Sequence, residues 1–438
     1  MDSFTNFLWG GPMLLLLAGT HIYFTVRLGF IQKYLPRGIR LSFSRSDSEG
    51  EGVSPYAALS TALAATIGTG NIIGISTAIA IGGPGAVFWC WLTGLLGIAT
   101  CYGECFLSVS WRVKNKDGHF MGGPMYVLQN GLRKKWLAFL FSLAAVLASF
   151  GMGSSVQSHS ICSALQSHMA VSPHIIGMAA ALLAGFVMLG GVRQISSLCT
   201  FLVPFMSLFY LAGCFYLLFA NRSFLPDAFS LIIRSAFSGK AFAGGFTGTA
   251  VMLGIRTGIS RGLFTNEAGL GSIPMAAACA RTPSPVTQGL ISMTGPFWDT
   301  VVICAVTGLV IVSSILKTPQ AYAGIPIDSL CLAAFSQLPF WGTEILSISL
   351  ILFAFATILG WCYYGECAVR FLAGQRAVKP YQVLYLLSVY LGAVVSLERV
   401  WGVSDLLNAC MALPNLVCLW LLRKKIITET HRELNRRG

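Results

Sequence analysis

Charge is what this sequence has least of. Asp, Glu, Lys and Arg make up 10% of its 438 residues, against about 25% in soluble domains. A chain so poor in charge cannot clothe a water-facing surface. Histidine is scarce as well. The six, His21, His119, His159, His168, His174 and His431, are scattered, with no nucleophile–base or metal-ligand spacing, so nothing points to an enzyme. The 13 cysteines lie singly in apolar stretches, without a CxxC pair. Cys101 and Cys105 stand one helical turn apart, but no histidine nearby completes a metal set, so the thiols read as small hydrophobes. No linker is long enough to divide the chain, which is expected to be one domain over 1–438. A cleavable leader is also missing: positive charges follow the first apolar run instead of preceding it, which reads as an uncleaved anchor.

What is present is apolar. Hydrophobic residues make up 55% of the chain, and its mean hydropathy is +0.72. A bilayer span takes about 20 mostly apolar residues. Eleven stretches qualify: about 8–27, 56–82, 86–111, 136–165, 172–191, 196–219, 242–280 (broken), 286–312, 341–369, 380–397 and 402–422. The expected fold is an all-α integral membrane protein of about 11 transmembrane helices. Most of the 29 basic residues then gather on one side, in the runs Arg27 to Arg45, Arg112 to Lys116, Arg133 to Lys135, Arg370 to Lys379 and Arg423 to Arg437. The positive-inside rule places that side in the cytoplasm, with the N-terminus outside and the C-terminus inside. The net charge of +13 is therefore topological bias and contact with anionic membrane lipid, not nucleic-acid binding.

Two of the stretches are interrupted by glycine-rich polar segments. The first interruption is Gly68-Thr69-Gly70-Asn71-Ile72-Ile73-Gly74 and the second Phe264-Thr265-Asn266-Glu267-Ala268-Gly269-Leu270-Gly271-Ser272. Irregular backbone at membrane depth is tolerated only where it is buried in protein or lines a cavity. With the first stretch set aside as an extra helix (about 8–27), ten remain, and the broken ones are the first and sixth. That spacing matches a five-plus-five inverted repeat, about 56–219 and 242–422, with a tail over 423–438. The echo of Tyr102-Gly103-Glu104-Cys105 in Tyr364-Gly365-Glu366-Cys367 falls at non-equivalent places and says nothing about the repeat. Arg370 lies four residues beyond Glu366, a spacing that suits an inner-gate ion pair or a simple interfacial anchor.

Unwinding at Gly68-Thr69-Gly70 frees N–H groups for a carboxylate and carbonyls for a cation, with the helix start near Asn71 adding positive dipole. Gly70 and Gly74 also have the spacing of a helix-packing face. In the second break Asn266 can both donate to and accept from a substrate. Glu267 suits either a coupling ion or a brace to Arg256 or Arg261. Gln157 and His159 lie in a polar stripe two residues apart, too close to share a face of a straight helix, so at least one is expected to face a cavity; polar glue between helices is the other reading. Thr357 and Trp361 do share a face: the hydroxyl suits a hard cation, and the indole suits walling a small apolar side chain. Asp299 and Asp405 are left unassigned.

At these residues the chain resembles the alanine/glycine:cation symporters, sodium:alanine symporters of the APC superfamily. The resemblance is carried by Gly68 to Gly74, Thr265 to Ser272, Pro285-Val286-Thr287-Gln288-Gly289, Asp299-Thr300, Phe355 to Trp361 and Leu413-Pro414-Asn415. It implies a LeuT-type fold with one extra N-terminal helix in a bacterial inner membrane. It also implies a monomer, no cofactor, and uptake of alanine, D-alanine or glycine driven by sodium or protons. Carried onto this sequence, the substrate carboxylate meets Gly68, Thr69, Gly70 and Asn71, and its amine meets oxygens near Asn266 and Gln157. Trp361 closes the side-chain end, and Na+ lies between carbonyls near Ala65 and Gly68 and the Thr357 hydroxyl. Ser154 and His159 depart from the family pattern, the latter placing an imidazole where an amide is usual and introducing pH sensitivity near neutrality. A channel fits poorly, because filters need a ring of identical loops or a continuous polar pore. A membrane-embedded enzyme fits no better.

Overall fold

The computed structural model describes residues 11–44, 52–115, 118, 120–237, 250–395 and 398–437. Arg45, Lys116 and His119 lie outside them, as do 8–10, 242–249 and 396–397 of three apolar stretches and the side chain of Asp405. Among the described residues the chain is almost wholly helical. The sole strands are the two-residue pair Val113–Lys114 and Phe120–Met121, and one isolated parallel bridge joins Val53 to Ala280.

Helix α1 (Pro12–Arg27) bends by 67° into a short amphipathic α2 (Leu35–Phe43). The first break separates α3 (Pro55–Thr66) from α4 (Ile73–Gly82), bent by 60°. Then come α5 (Gly85–Ser110), α6 (Lys135–Gln166), α7 (Pro173–Leu189), α8 (Gly191–Ala220) and α9 (Leu225–Phe237). The second break separates α10 (Ala250–Asn266) from α11 (Ile273–Ala277). Helices α12 (Pro285–Lys317), α13 (Gly342–Ala373), α14 (Val378–Val394), α15 (Glu398–Leu421) and α16 (Arg423–Arg437) complete the chain. Five of them, α5, α6, α8, α12 and α13, are long and apolar enough to cross a membrane, or up to eight spans if each of three bent pairs is one. Helix is present in the described part of each of the eleven apolar stretches, but α1 has only 16 residues and α7, α10 and α14 only 17 each.

The distribution of side chains is inverted relative to a soluble protein. Leu182, Phe186, Leu189, Phe201, Phe205 and Leu208 are exposed, while Glu104, Glu267, Asp299 and Glu366 are buried. Hydrocarbon, not water, is the solvent that suits such a surface. Close helix contact comes from small residues. Gly254, Gly258 and Gly262 recur every four residues along α10, where a Cβ on Gly258 would strike the Ala86 carbonyl and one on Gly262 would meet Thr93 Cβ at 3.1 Å. Without a hydrophobic drive between helices in lipid, such backbone approach is a main source of attraction.

The two ends of the bundle are unlike. At one end α16 folds back by 60° beneath α15. There Tyr102 Oη and Thr430 Oγ1 lie 2.7 Å apart, Ser284 Oγ donates to Glu433 Oε1 (2.7 Å), and His431 Nε2 lies 3.2 Å from the Arg27 carbonyl. At the other end the helices part around a cavity.

Candidate substrate and cation site

Both breaks are built by local chemistry. At the first, Ile67 and Gly68 are extended, and Thr69–Asn71 form a single 3-10 turn. The Asn71 side chain stitches this turn: its Oδ1 accepts from Gly68 N (2.9 Å), and its Nδ2 donates to Asp299 Oδ1 (2.7 Å) on α12. The N–H groups of Thr69 and Gly70 open the turn and so have no intrahelical acceptor. At the second break Glu267, Gly269 and Gly271 take positive φ values of 53°, 95° and 84°. Left-handed residues cannot extend a right-handed helix, and glycine meets that conformation without a Cβ penalty. Asn266 Oδ1 caps the break by accepting from Ala268 N (3.0 Å).

Between the breaks lies a cavity of about 500 Å³. Its floor is formed by Ala65, Gly68, Thr69 and Gly70 from the first break, by Thr265 and Glu267 from the second, and by Gln157 and Thr357. Thr357 Oγ1 donates to the Phe353 carbonyl (3.0 Å) and lies 3.5 Å from the Ile67 carbonyl. A Cβ on Gly68 would sit 2.7 Å from that oxygen. Thr69 Oγ1 donates to Gln157 Oε1 (3.2 Å), and Gln157 Nε2 in turn donates to the Met152 carbonyl (3.1 Å). Hydroxyls of Ser160, Ser163, Ser167 and Ser347 line the way out, with Arg261 and Asp328 also on the wall.

The structure thus gathers Ala65, Gly68, Thr69, Gly70, Gln157, His159 and Thr357 around one space and sets three expected residues behind it. Asn71 spends its amide on Gly68 and Asp299, and Asn266 is fully buried. Trp361 lies beneath the second break, where its Nε1 donates to Glu267 Oε1 (3.1 Å). Ser272 Oγ donates to the other Glu267 oxygen (2.5 Å), so neutral donors hold both of its oxygens. Gly70 and Gly74 have only ordinary contacts, so no tight packing face forms there.

Gln157 and His159 both reach the cavity. At about 100° per residue, the lining positions from Val156 of α6 to Ser167 at its C-cap sweep an arc of about 160°, with these two at its edges. The cavity is simply wider than one helical face. Gln157 is buried and His159 exposed, which puts the amide at the floor and the imidazole toward the mouth. Ser154 faces away, hydrogen-bonded to Ser388 of α14 (2.6 Å). Ser163 and Ser167 extend the polar stripe that ends at Ser160 along the same lining, a continuation their helical spacing signals. Gly360 is needed where α13 meets α3: a Cβ there would come within 2.6 Å of Ala65 N and part the two helices.

The opposite end is closed. Arg370 pairs with Glu366 (3.1 Å), which also accepts from Gln382 (2.6 Å), so the four-residue spacing does bring the pair together. Val53 N donates to the Cys279 carbonyl (3.1 Å) and Arg281 N to the Val53 carbonyl (2.9 Å), joining the start of α3 to the chain just after α11. Arg112 donates to the Ala278 and Ala280 carbonyls (3.2 and 2.7 Å) beside this bridge.

A mostly helical bundle with apolar helices outside, and a polar cavity open at one end between two broken helices, defines a multi-pass membrane transporter. The chain belongs to the sodium:alanine symporter family, whose model matches residues 1–436. It is 46% identical to an uncharacterized transporter of Haemophilus influenzae over 98% of this chain and 94% of that protein. It is 43% identical to the sodium/alanine symporter AgcS of Methanococcus maripaludis, over 98% and 96%. A probable sodium/glutamine symporter, GlnT, of Bacillus subtilis is 36% identical over 97% and 88%. Among solved structures, a substrate-bound outward-open Na+-coupled sialic acid symporter superposes with a TM-score of 0.56 at 12% identity, over 94% of this chain and 84% of that one. That likeness speaks for the fold alone. These relatives are transporters, not enzymes.

Proposed function

We propose that the protein takes up a small neutral amino acid, alanine, D-alanine or glycine, by symport with sodium through alternating access. The observation that carries this reading is the floor of the cavity, where unwound backbone at Gly68–Gly70 meets Gln157 and the Thr357 hydroxyl. An amino-acid carboxylate needs N–H donors and positive dipole, which the turn opening at Thr69 and Gly70 supplies. Its ammonium needs oxygens, which Gln157 Oε1 and Thr69 Oγ1 offer. A sodium ion takes hard oxygen ligands, available from the carbonyls near Ala65 and Gly68 and from Thr357. Asn71, Asn266 and Trp361 act one layer back, holding the two breaks in shape. With basic loops in the cytoplasm, eleven spans and the extra helix first, the cavity mouth faces outward and the sealed end inward.

The test is counterflow of labelled alanine in proteoliposomes, with sodium and pH varied independently. Saturable accumulation that follows the imposed sodium gradient is expected. Accumulation driven by neither a sodium nor a proton gradient would sink the symport reading.

A further inference from the structure

Two buried carboxylates flank the second break, Glu267 within it and Glu104 tied to it through Asn415. Glu104 on α5 is 2% exposed and Glu267 not at all. Asn415 Nδ2 on α15 donates to Glu104 Oε1 (2.5 Å) and to the Gly269 carbonyl (2.9 Å), which fastens Glu104 to the loop two residues beyond Glu267. Both Glu267 oxygens are already taken by Ser272 and Trp361. Three of the four carboxylate oxygens therefore accept from neutral N–H or O–H donors, and Glu104 Oε2 is a buried atom with no hydrogen-bond partner. The Tyr364 hydroxyl, fully buried on α13 in the same region, also has none.

Burying two carboxylates at one break, with only neutral donors on three of their four oxygens, is unfavourable. A metal ion would need several oxygens at once, but donors already point at three of these four. One proton needs a single oxygen. We propose that the Glu104–Glu267 pair is a proton-binding site. The proton sits on Glu104 Oε2, converting carboxylate plus H+ to carboxyl, and exchanges with the cavity past Glu267, which lines the cavity wall. The other titratable groups facing the pair are Cys101 and Cys105 on α5, Tyr364 on α13, Cys418 on α15, Asp299 on α12 and, on the cavity wall, Arg261. His21 of α1 faces the same break at Gly269. Asp299 differs from Glu104 in having both oxygens satisfied, by Asn71 and Thr300. The inference rests on the transporter reading only in taking the cavity to be open to water.

Infrared spectroscopy of the purified full-length protein reads the carboxyl directly. With glutamate carrying carbon-13 at its side-chain carboxyl, a protonated C=O band should appear, move with the label and fade as pH rises. Glu104→Gln should lose it. Glu104→Asp should keep a protonated band that no longer moves with the label, and this variant carries the test should the glutamine form fail to fold. No label-sensitive band, a band unchanged in both variants, or a band indifferent to pH would each overturn the site. Failure of amino-acid uptake would leave the band intact, so the two readings fail separately.

Discussion

Thr357 stands where the first break meets α13, so close that a Cβ at Gly68 would clash with its oxygen. Thr357→Ala is expected to raise the sodium concentration needed for half-maximal uptake more than it changes the ranking of competing amino acids. The reverse pattern would move the cation elsewhere. Gln157→Ala deletes a buried acceptor on the cavity floor, the one proposed to meet the substrate amine, and strands Thr69 Oγ1. A loss of about 1–2 kcal/mol, roughly tenfold in apparent alanine affinity, should follow in competition assays. That Gly68, Thr69, Gly70, Gln157 and Thr357 line a cavity was legible, because polar or unwinding residues in an apolar run have few other reasons to be there. The retreat of Asn71, Asn266 and Trp361 behind the wall was not legible. A break resets the rotational register of the chain, so helical spacing no longer tells which way a side chain points.

Between elements, the decisive contacts are backbone approaches. Gly258→Leu would drive a side chain into the Ala86 carbonyl and force α10 from α5, an overpacking that costs about 1–3 kcal/mol or more. A lower melting temperature and reduced yield of monodisperse protein in detergent should report it. The bridge at the sealed end can be tested covalently. Cysteines at Val53 and Ala280, partners in the parallel bridge, should be cross-linked by oxidant and stop uptake until a reductant is added. Uptake unaffected by a complete cross-link would mean that these ends need not separate. The stripe of Gly254, Gly258 and Gly262 could have been read as a contact face from its spacing alone. The bridge could not, since Val53 and Ala280 are far apart in sequence and unremarkable in type.

For the molecule as a whole, length and apolarity located the helices, because a bilayer imposes one dimension on every span. Bends are a different matter. The 67° turn into α2 and the 60° return of α16 depend on contacts with distant residues such as Gly38 against the Leu290 carbonyl. The charge distribution yields a whole-molecule expectation: a protease site placed after Arg437 should resist cleavage from outside intact cells and be cut only when the membrane is opened. Cleavage in intact cells would invert the topology and turn the cavity mouth toward the cytoplasm.

The folded-back α16 also has a consequence in time. Its anchors, Thr430, His431 and Glu433, hold Tyr102, Arg27 and Ser284, and all three of those residues are synthesised long before it. Through most of translation the spans are already in the membrane while this face of the bundle stands uncovered. Its closure must be a late event in biogenesis, so a chain stalled before residue 423 would present that open face to the cell's quality-control machinery.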